Sequence, residues 1–525
     1  MSSVKRRLIS RRSLRFTFAV AALGLGAGLS SAIGAHAVTS RQAASPAGCD
    51  SSRRGISYGP GGTDQRQANV EPCLTYTFPD YGENGIIISE PQTLANGVTT
   101  PARVMIGGIY KPNQALPDFG NLATSIDGGA TWSRVLFPAD STQLAGNSEG
   151  SDPGFYQDPK THRLFFYRDA ANEGPFSTVD GEYHISYSDD GGEDWVNNYT
   201  TDFFPEVSDA VVMFAGPPRT ATDAAALKAA GYPDVTYLCG HLPESDCFKS
   251  LDGGINFTQI KDSSGTDEAG SNDAVVAGPN GTLYGVASGK VTESVDDGAT
   301  WTPVPAALPT GFSSDCARPS DYGSLFLDRA GNIYVGGTNS NGELAVTYSK
   351  DRGATWSKPV QLQMPGTGIT MCTFAEDWNR PGHFVASYYA YPPGATVGSV
   401  EDYGTTGGPT HGYITVTDDL FDTSPVFTSV QVDPNADPLM PEGGPCTAPF
   451  EQCVPHSASR TDYINVNFNP VDGSPWAVFA QDNCSSVPAC AEDSAVTAAE
   501  NGGSTGNSYE YWTSNVGAVA TIANS

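Results

Sequence analysis

Charge is scarce in this chain. Asp, Glu, Lys and Arg make up 16% of its 525 residues, and the positive share is smaller still, with 28 Lys plus Arg against 58 Asp plus Glu. A formal net charge of −30 excludes a general nucleic-acid binder or a membrane-surface binder, since a polyanion repels phosphate backbones and anionic lipid alike. Long apolar runs are missing after residue 37, where nothing approaches the roughly 18 residues of a membrane span. Long helical heptads are missing too. No C-x-x-C pair or partnered His offers zinc a site, and P-loop, dinucleotide, H-E-x-x-H and G-x-S-x-G signatures are absent. Nothing in the pattern requires a cofactor. What is abundant is glycine, 59 residues, with Tyr, Thr, Ser, Asn and Asp. These turn formers separate short Val, Ile, Tyr and Phe runs, the pattern of strands and tight turns. The chain is too long for an average single domain, so internal repeats are sought before domains are counted.

Residues 1–37 read as an export leader. Lys5, Arg6, Arg7, Arg11, Arg12 and Arg15 form a basic head, Phe16 to Ile33 is apolar, and Ala35-His36-Ala37 offers a small-x-small cleavage site. Ser10-Arg11-Arg12-Ser13-Leu14 resembles a twin-arginine signal, a plain secretory signal being the alternative. Losing the leader takes the net charge from −30 to −36. The expected product is secreted, extracellular, soluble and monomeric. All ten cysteines follow the leader, an even number that reads as disulfides in an exported chain. Three pairs are close in sequence: Cys239 with Cys247, Cys446 with Cys453, and Cys484 with Cys490. Cys49 with Cys73 and Cys316 with Cys372 are the natural remainder, a connectivity that spacing suggests without proving.

Five segments share the template S-x-D-x-G-x-x-W: Ser125 to Trp132, Ser188 to Trp195, Ser250 to Phe257, Ser294 to Trp301 and Ser349 to Trp356. Their starts lie 63, 62, 44 and 55 residues apart. Ser and Asp can bond backbone groups within a tight turn, Gly supplies a conformation other residues resist, and Trp buries a large ring between sheets. These residues resemble the Asp-box, or bacterial neuraminidase repeat, of sialidase-like β-propellers. The resemblance implies an all-β propeller of four-stranded blades over residues 85–525, with residues 38–84 as a lead-in that helps close the ring. In that family the box joins the third and fourth strands of a blade, opposite the active site, so Asp127, Asp190, Asp252, Asp296 and Asp351 are read as structural. Five boxed units and two decayed ones, at Phe374 to Ala386 with Thr417-Asp418-Asp419 and at Ile464 to Phe479, make seven blades, six being the alternative. One short helix is predicted over Asp223 to Ala230, capped by Thr222 and ended by Gly231.

A second repeat places an Asp before an apolar strand: Asp152, Asp209, Asp273, Asp321 and Asp462. In a propeller this strand is innermost, so these residues fall near the axis on the face away from the boxes. A ring of carboxylates there could supply a catalytic pair for glycoside hydrolysis or hold a hard cation such as Ca²⁺. The plainer reading is that each accepts backbone N–H bonds. True sialidases bind a carboxylate with three Arg, one in a Phe/Tyr-Arg-Ile-Pro motif. That motif is absent, and Pro101-Ala-Arg103-Val104 is the nearest segment. Arg168, Arg318 and Arg460 are the substrate-binding candidates, and Arg460-Thr-Asp462-Tyr463 brings a phenol beside them. His184, His241, His411 and His456 are each a conceivable acid or base. Two functions compete: a glycoside hydrolase acting on extracellular glycan or polysaccharide, and a non-catalytic propeller binding glycan or protein. A lyase with a Tyr or His base is a third that no residue singles out. Fold alone decides none of these.

Overall fold

The computed structural model describes residues 48–79, 84–108, 122–135, 149–171, 182–199, 209–241, 246–260, 275–287, 289–314, 325–391, 409–435, 438–439, 464–481 and 516–524. Among the described residues, the apolar runs form strands whose antiparallel pairing builds six sheets of four strands and a seventh enlarged to six. Their first strands are Asn84–Ser89, Glu149–Gln157, Asp209–Gly216, Val275–Ala277, Leu325–Leu327, Gly368–Glu376 and Asn465–Phe468, in blades 1 to 7. Each of these packs against the next and the seventh against the first. The architecture is therefore the expected β-propeller, with these strands innermost.

The core is shared among the seven blade interfaces. Between blades 6 and 7, Tyr389, Ile414 and Val430 meet Val466, Ala477 and Phe479. Between blades 4 and 5, Tyr284 and Val286 meet Leu325 and Val335. The octapeptide aromatics seal these seams. Trp195 of blade 2 packs with Ile87 and Met105 of blade 1. Phe257 packs with Phe165 and Ile185 of blade 2, and Trp301 with Tyr237 and Val235 of blade 3. Phe in place of Trp thus keeps the same contact.

Every octapeptide closes the same turn. In the third, Ser250 Oγ accepts from Gly254 N at 2.9 Å and donates to Asp252 Oδ1 at 2.7 Å, while Asp252 accepts from Asn256 N at 2.9 Å. Bonds from Thr131 hold the Asp127 carboxyl below the usual range. The decayed copy keeps the logic, with Thr417 Oγ1 donating to Asp419 Oδ1 at 2.8 Å. Two consecutive residues take the left-handed conformation. Asp297 at φ 61° and Arg352 at φ 60° occupy the first such position where the other turns have glycine. Asp297 is held there by Tyr237 Oη at 3.2 Å and Lys249 Nζ at 3.1 Å.

Two N-terminal stretches complete blades begun elsewhere. Val70–Pro79 pairs with Val516–Asn524 as the outermost strand of blade 7. Ile56–Gly59 and Thr63–Gln67 extend blade 6 beyond Phe427–Gln431. The Cys49–Cys73 disulfide fastens the start of this segment, and the Arg53 guanidinium donates to the carbonyls of Gln431, Val432 and Asp433. The helix runs over Ala221–Ala230 and ends at Gly231, φ 80°. Its cap is Thr220, not Thr222. Capping needs an oxygen three residues before the receiving N–H, and Thr220 Oγ1 takes that of Asp223 at 3.0 Å.

The turn between the first two strands of blade 6 reaches beyond its own sheet. Trp378 O accepts from Arg329 N of blade 5 at 3.2 Å, and Gly382 N donates to Tyr334 Oη at 2.9 Å. The His383 ring lies 4.0 Å from that of Phe468 in blade 7. Arg380 lies so close to Gly473 of blade 7 that a methyl group there would collide with the guanidinium. Asn379 Nδ2 reaches Glu90 Oε1 of blade 1 at 3.3 Å, and His162 Nδ1 of blade 2 lies 2.9 Å from the other oxygen. This turn spans the inner end of the closing blade.

Two outcomes test these assignments. Ser250→Ala strands the buried Gly254 N–H and is expected to cost about 1–2 kcal/mol in urea unfolding. Asn379→Ala with Arg380→Ala should speed amide exchange about tenfold at Val471 and Gly473 through local opening, leaving blades 3 and 4 unchanged.

Candidate functional site at the channel mouth

Antiparallel order fixes which end of each blade carries what. The octapeptide follows the third strand, so it lies at the end where the first strand finishes. The first strands all begin at the opposite end, here called the mouth face. The first-strand acidic positions therefore fall on that face by topology alone.

Blade 2 carries Asp152 within its first strand, at a β-bulge. Ser151 pairs with Asp169 and Gly154 with Tyr167, so Asp152 and Pro153 together stand opposite Arg168. Arg168 in turn pairs with His184 on the third strand. Three residues singled out on sequence thus share one end of one blade. Blade 3 repeats the device. Asp209 pairs directly with His241, Val211 pairs with Gly240, and Ala210 is the extra residue. Bulges re-aim a strand where it meets a rim. Asp273, Asp321, Asp462, Tyr463, Arg318, Arg460 and His456 lie outside the described residues.

Cysteines reinforce this face. Cys239 and Cys247 are directly paired across the second and third strands of blade 3 and joined by a disulfide, two positions below His241. Cys372, in the middle of the first strand of blade 6, is also disulfide-bonded. Cys316, its expected partner, lies outside the described residues, as do Cys446, Cys453, Cys484 and Cys490.

Arg103, in the segment nearest to the sialidase arginine motif, is on the other face. It opens the second strand of blade 1, its Nε donates to Gly191 O at 3.1 Å, and its guanidinium pairs with Glu193 at 3.4 Å. It braces the blade 2 octapeptide turn and is not a ligand for anything in the channel mouth.

His411 opens the third strand of blade 6 on the mouth face and is buried. Its Nδ1 lies 2.8 Å from Asp433 Oδ2. Asp433 also accepts from Gly412 N at 3.0 Å and Leu439 N at 2.7 Å. Burial pushes the Asp433 carboxyl up, and His411 opposes that rise. The pair clasps the third strand to the segment after the fourth. Asp433 was missed on sequence because the contact joins a strand to a segment 22 positions away, with no local motif.

Glu376 ends the first strand of blade 6 on the octapeptide face. Burial, with repulsion from Asp328 and Asp377, pushes its carboxyl up to about 8. Among the described residues no group of three or more His, Cys, Asp or Glu is placed to hold a metal, and no helix is long and apolar enough to cross a membrane.

No family model and no curated relative matches the chain. Among solved structures it is similar to YCF48 from Cyanidioschyzon merolae, at 16% identity over 68% of this chain and 99% of that one, TM-score 0.32. It is similar to a mutant Trypanosoma rangeli sialidase displaying trans-sialidase activity, at 12% identity over 86% of this chain and 58% of that one, TM-score 0.32. It is also similar to the polysaccharide lyase Uly1, at 11% identity over 67% and 78%, TM-score 0.33. Likenesses this distant carry no chemistry across.

Two substitutions check the electrostatics. Asp433→Ala takes the carboxylate from His411, leaves the N–H groups of Gly412 and Leu439 unanswered, and should cost about 3 kcal/mol in chemical denaturation. Glu376 has a folded-state value above its ordinary one, so its neutral form favours the fold. That contribution is whole below pH 4.5 and is lost as the pH rises to about 8. Glu376→Gln should flatten this slope, measured as melting temperature across the same window.

Proposed function

We propose that this chain is an exported Asp-box propeller of the sialidase-like kind that hydrolyses extracellular glycans with carboxylates at its channel mouth. The observation that carries this reading is the placement of Asp152 and Asp209 at first-strand bulges of adjacent blades, on the face away from the octapeptide turns. Asp273, Asp321 and Asp462 extend the same sequence repeat, and Tyr463 adds a phenol. Hydrolysis needs one carboxyl that gives a proton to the leaving oxygen and a second that acts as base or nucleophile, about 5–9.5 Å apart. Arg168, Arg318 and Arg460 would orient an anionic or hydroxyl-rich substrate, guanidinium being suited to planar oxygen pairs. The leader, the disulfides and the acidic surface support work outside the cell.

A non-catalytic glycan-binding propeller is the second reading, favoured by the structural use of Arg103. A release assay across a glycan panel with the mature chain separates the two. Hydrolysis predicts release, lowered about 100-fold or more in kcat/KM by Asp152→Asn or Asp209→Asn, as for loss of an acid–base group. Retention on glycan arrays without release would favour binding. Release untouched by Asn at all five Asp positions would place the chemistry elsewhere.

A further inference from the structure

The His411–Asp433 clasp on the mouth face surrounds a particular peptide bond, that between Asp433 and Pro434. In an Asp–Pro pair the side-chain carboxylate can reach its own main-chain carbonyl carbon through a five-membered ring, an attack favoured by proximity. Proline then leaves as a secondary amine, more basic than the amine other residues leave as. The surroundings of this bond suit that reaction. The Asp433 carbonyl oxygen accepts from Arg53 Nη1 at 2.6 Å and from Gln431 Nε2 at 2.8 Å. A guanidinium and an amide thus already sit where negative charge develops when the carbonyl carbon is attacked. Arg53 is itself fixed: Asp50 accepts from its Nε at 2.8 Å, and Cys49 beside Asp50 is bonded to Cys73. The Asp433 carboxylate is buried and accepts from Gly412 N and Leu439 N. Burial pushes it up, toward a more basic and so more nucleophilic anion. His411 Nδ1, 2.8 Å from its Oδ2, places a proton carrier beside the bond.

We infer that Asp433–Pro434 is a self-cleaving bond, with the Asp433 carboxylate as nucleophile, Arg53 and Gln431 as oxyanion donors and His411 as proton donor to the departing nitrogen. A side-chain oxygen of Asp433 bonds to its main-chain carbonyl carbon. The C–N bond breaks, and the Pro434 nitrogen keeps the electron pair and takes a proton from the imidazolium. Asp433 is left as a cyclic anhydride. Water opens it to a side-chain carboxylate, a new C-terminal carboxylate and two protons, one restoring the imidazolium and the other charging the new amine. The substrate is the chain's own peptide bond and water is the co-reactant. Asp158–Pro159 is the same pair without this setting. Its carbonyl oxygen accepts from His162 N at 2.8 Å, and its carboxylate accepts from Lys160 N, Thr161 N and Tyr232 Oη. No guanidinium or imidazole is bonded to either. A cut at Asp433 would free the fourth strand of blade 6 from the connection that begins at Pro434. The two pieces would stay together, because Val70–Pro79 of the first pairs with Val516–Asn524 of the second.

The test reads the bond directly. The mature, disulfide-intact chain is incubated at neutral pH, then denatured, reduced and examined by intact mass and N-terminal sequencing. The expected result is two pieces whose masses sum to that of the chain plus one water, the second beginning Pro434-Asn435, from a protein that still elutes as one body before denaturation. Arg53→Met should slow the cut about 100-fold or more, as for loss of one oxyanion donor. If that variant does not fold, Pro434→Ala serves, since proline has no N–H to lose, and it too should accumulate whole chain. A folded wild type that stays whole at Asp433 overturns the proposal. So does a cut at Asp158–Pro159 at an equal rate, or a cut at Asp433 that is no slower in urea, since either reduces it to the ordinary lability of Asp–Pro bonds. Cleavage at the wild-type rate in folded Arg53→Met or Pro434→Ala also sinks it.

Discussion

A sheet of four short strands has two faces, and in this protein both are apolar. Neither face can meet water at low cost, because burying such side chains contributes roughly 25 cal/mol per Å². Each sheet must therefore be covered on both sides by others like it, and a row that covers every face without ends has to close. The seven interface clusters are that requirement met. Much else follows from it: the octapeptide aromatics at the seams, the turn of blade 6 laid over blade 7, and N-terminal strands recruited to finish the ring.

Closing the ring also separates two kinds of work. The octapeptide face is built from short turns whose Ser, Asp and Gly satisfy one another locally, and Arg103 is spent bracing one of them. The mouth face carries the bulged starts of the first strands of blades 2 and 3 and the Cys239–Cys247 link. Rigid sheets below and variable segments above are the usual division between scaffold and site. Of the acidic repeat, Asp152 and Asp209 lie at the mouth-face ends of their blades.

The architecture was legible in the sequence because its determinants are local and repeated. Ser250 to Phe257 specifies its turn within eight residues, and even Thr417 to Asp419, with the aromatic gone, keeps the same hydrogen bond. The helix was legible for the same reason, though its cap was placed two residues late because Thr220 and Thr222 are equally good capping residues on composition. The site was legible only in part. That Asp152 and Asp209 belong with first strands follows from pattern, but Asp152 lies inside its strand and Asp209 opens its own, and their bulges, and the pairing of Asp209 with His241 across 32 positions, depend on register. The raised carboxyl of Glu376 comes first from burial, to which Asp328, of another blade, adds repulsion. Interactions between distant segments leave no mark on either segment alone.

The pairing of Val70–Pro79 with Val516–Asn524 has a temporal meaning. A strand made among the first residues waits, unpartnered along one edge, while more than four hundred others are synthesised. Blades 1 to 5 contain only contiguous chain and can assemble in passing. Blade 7 cannot be complete until Val516–Asn524 has been made. Cooperativity in this fold thus waits on a strand far along the chain, and a chain lacking Val516–Asn524 would leave an edge exposed to aggregation rather than merely a smaller propeller.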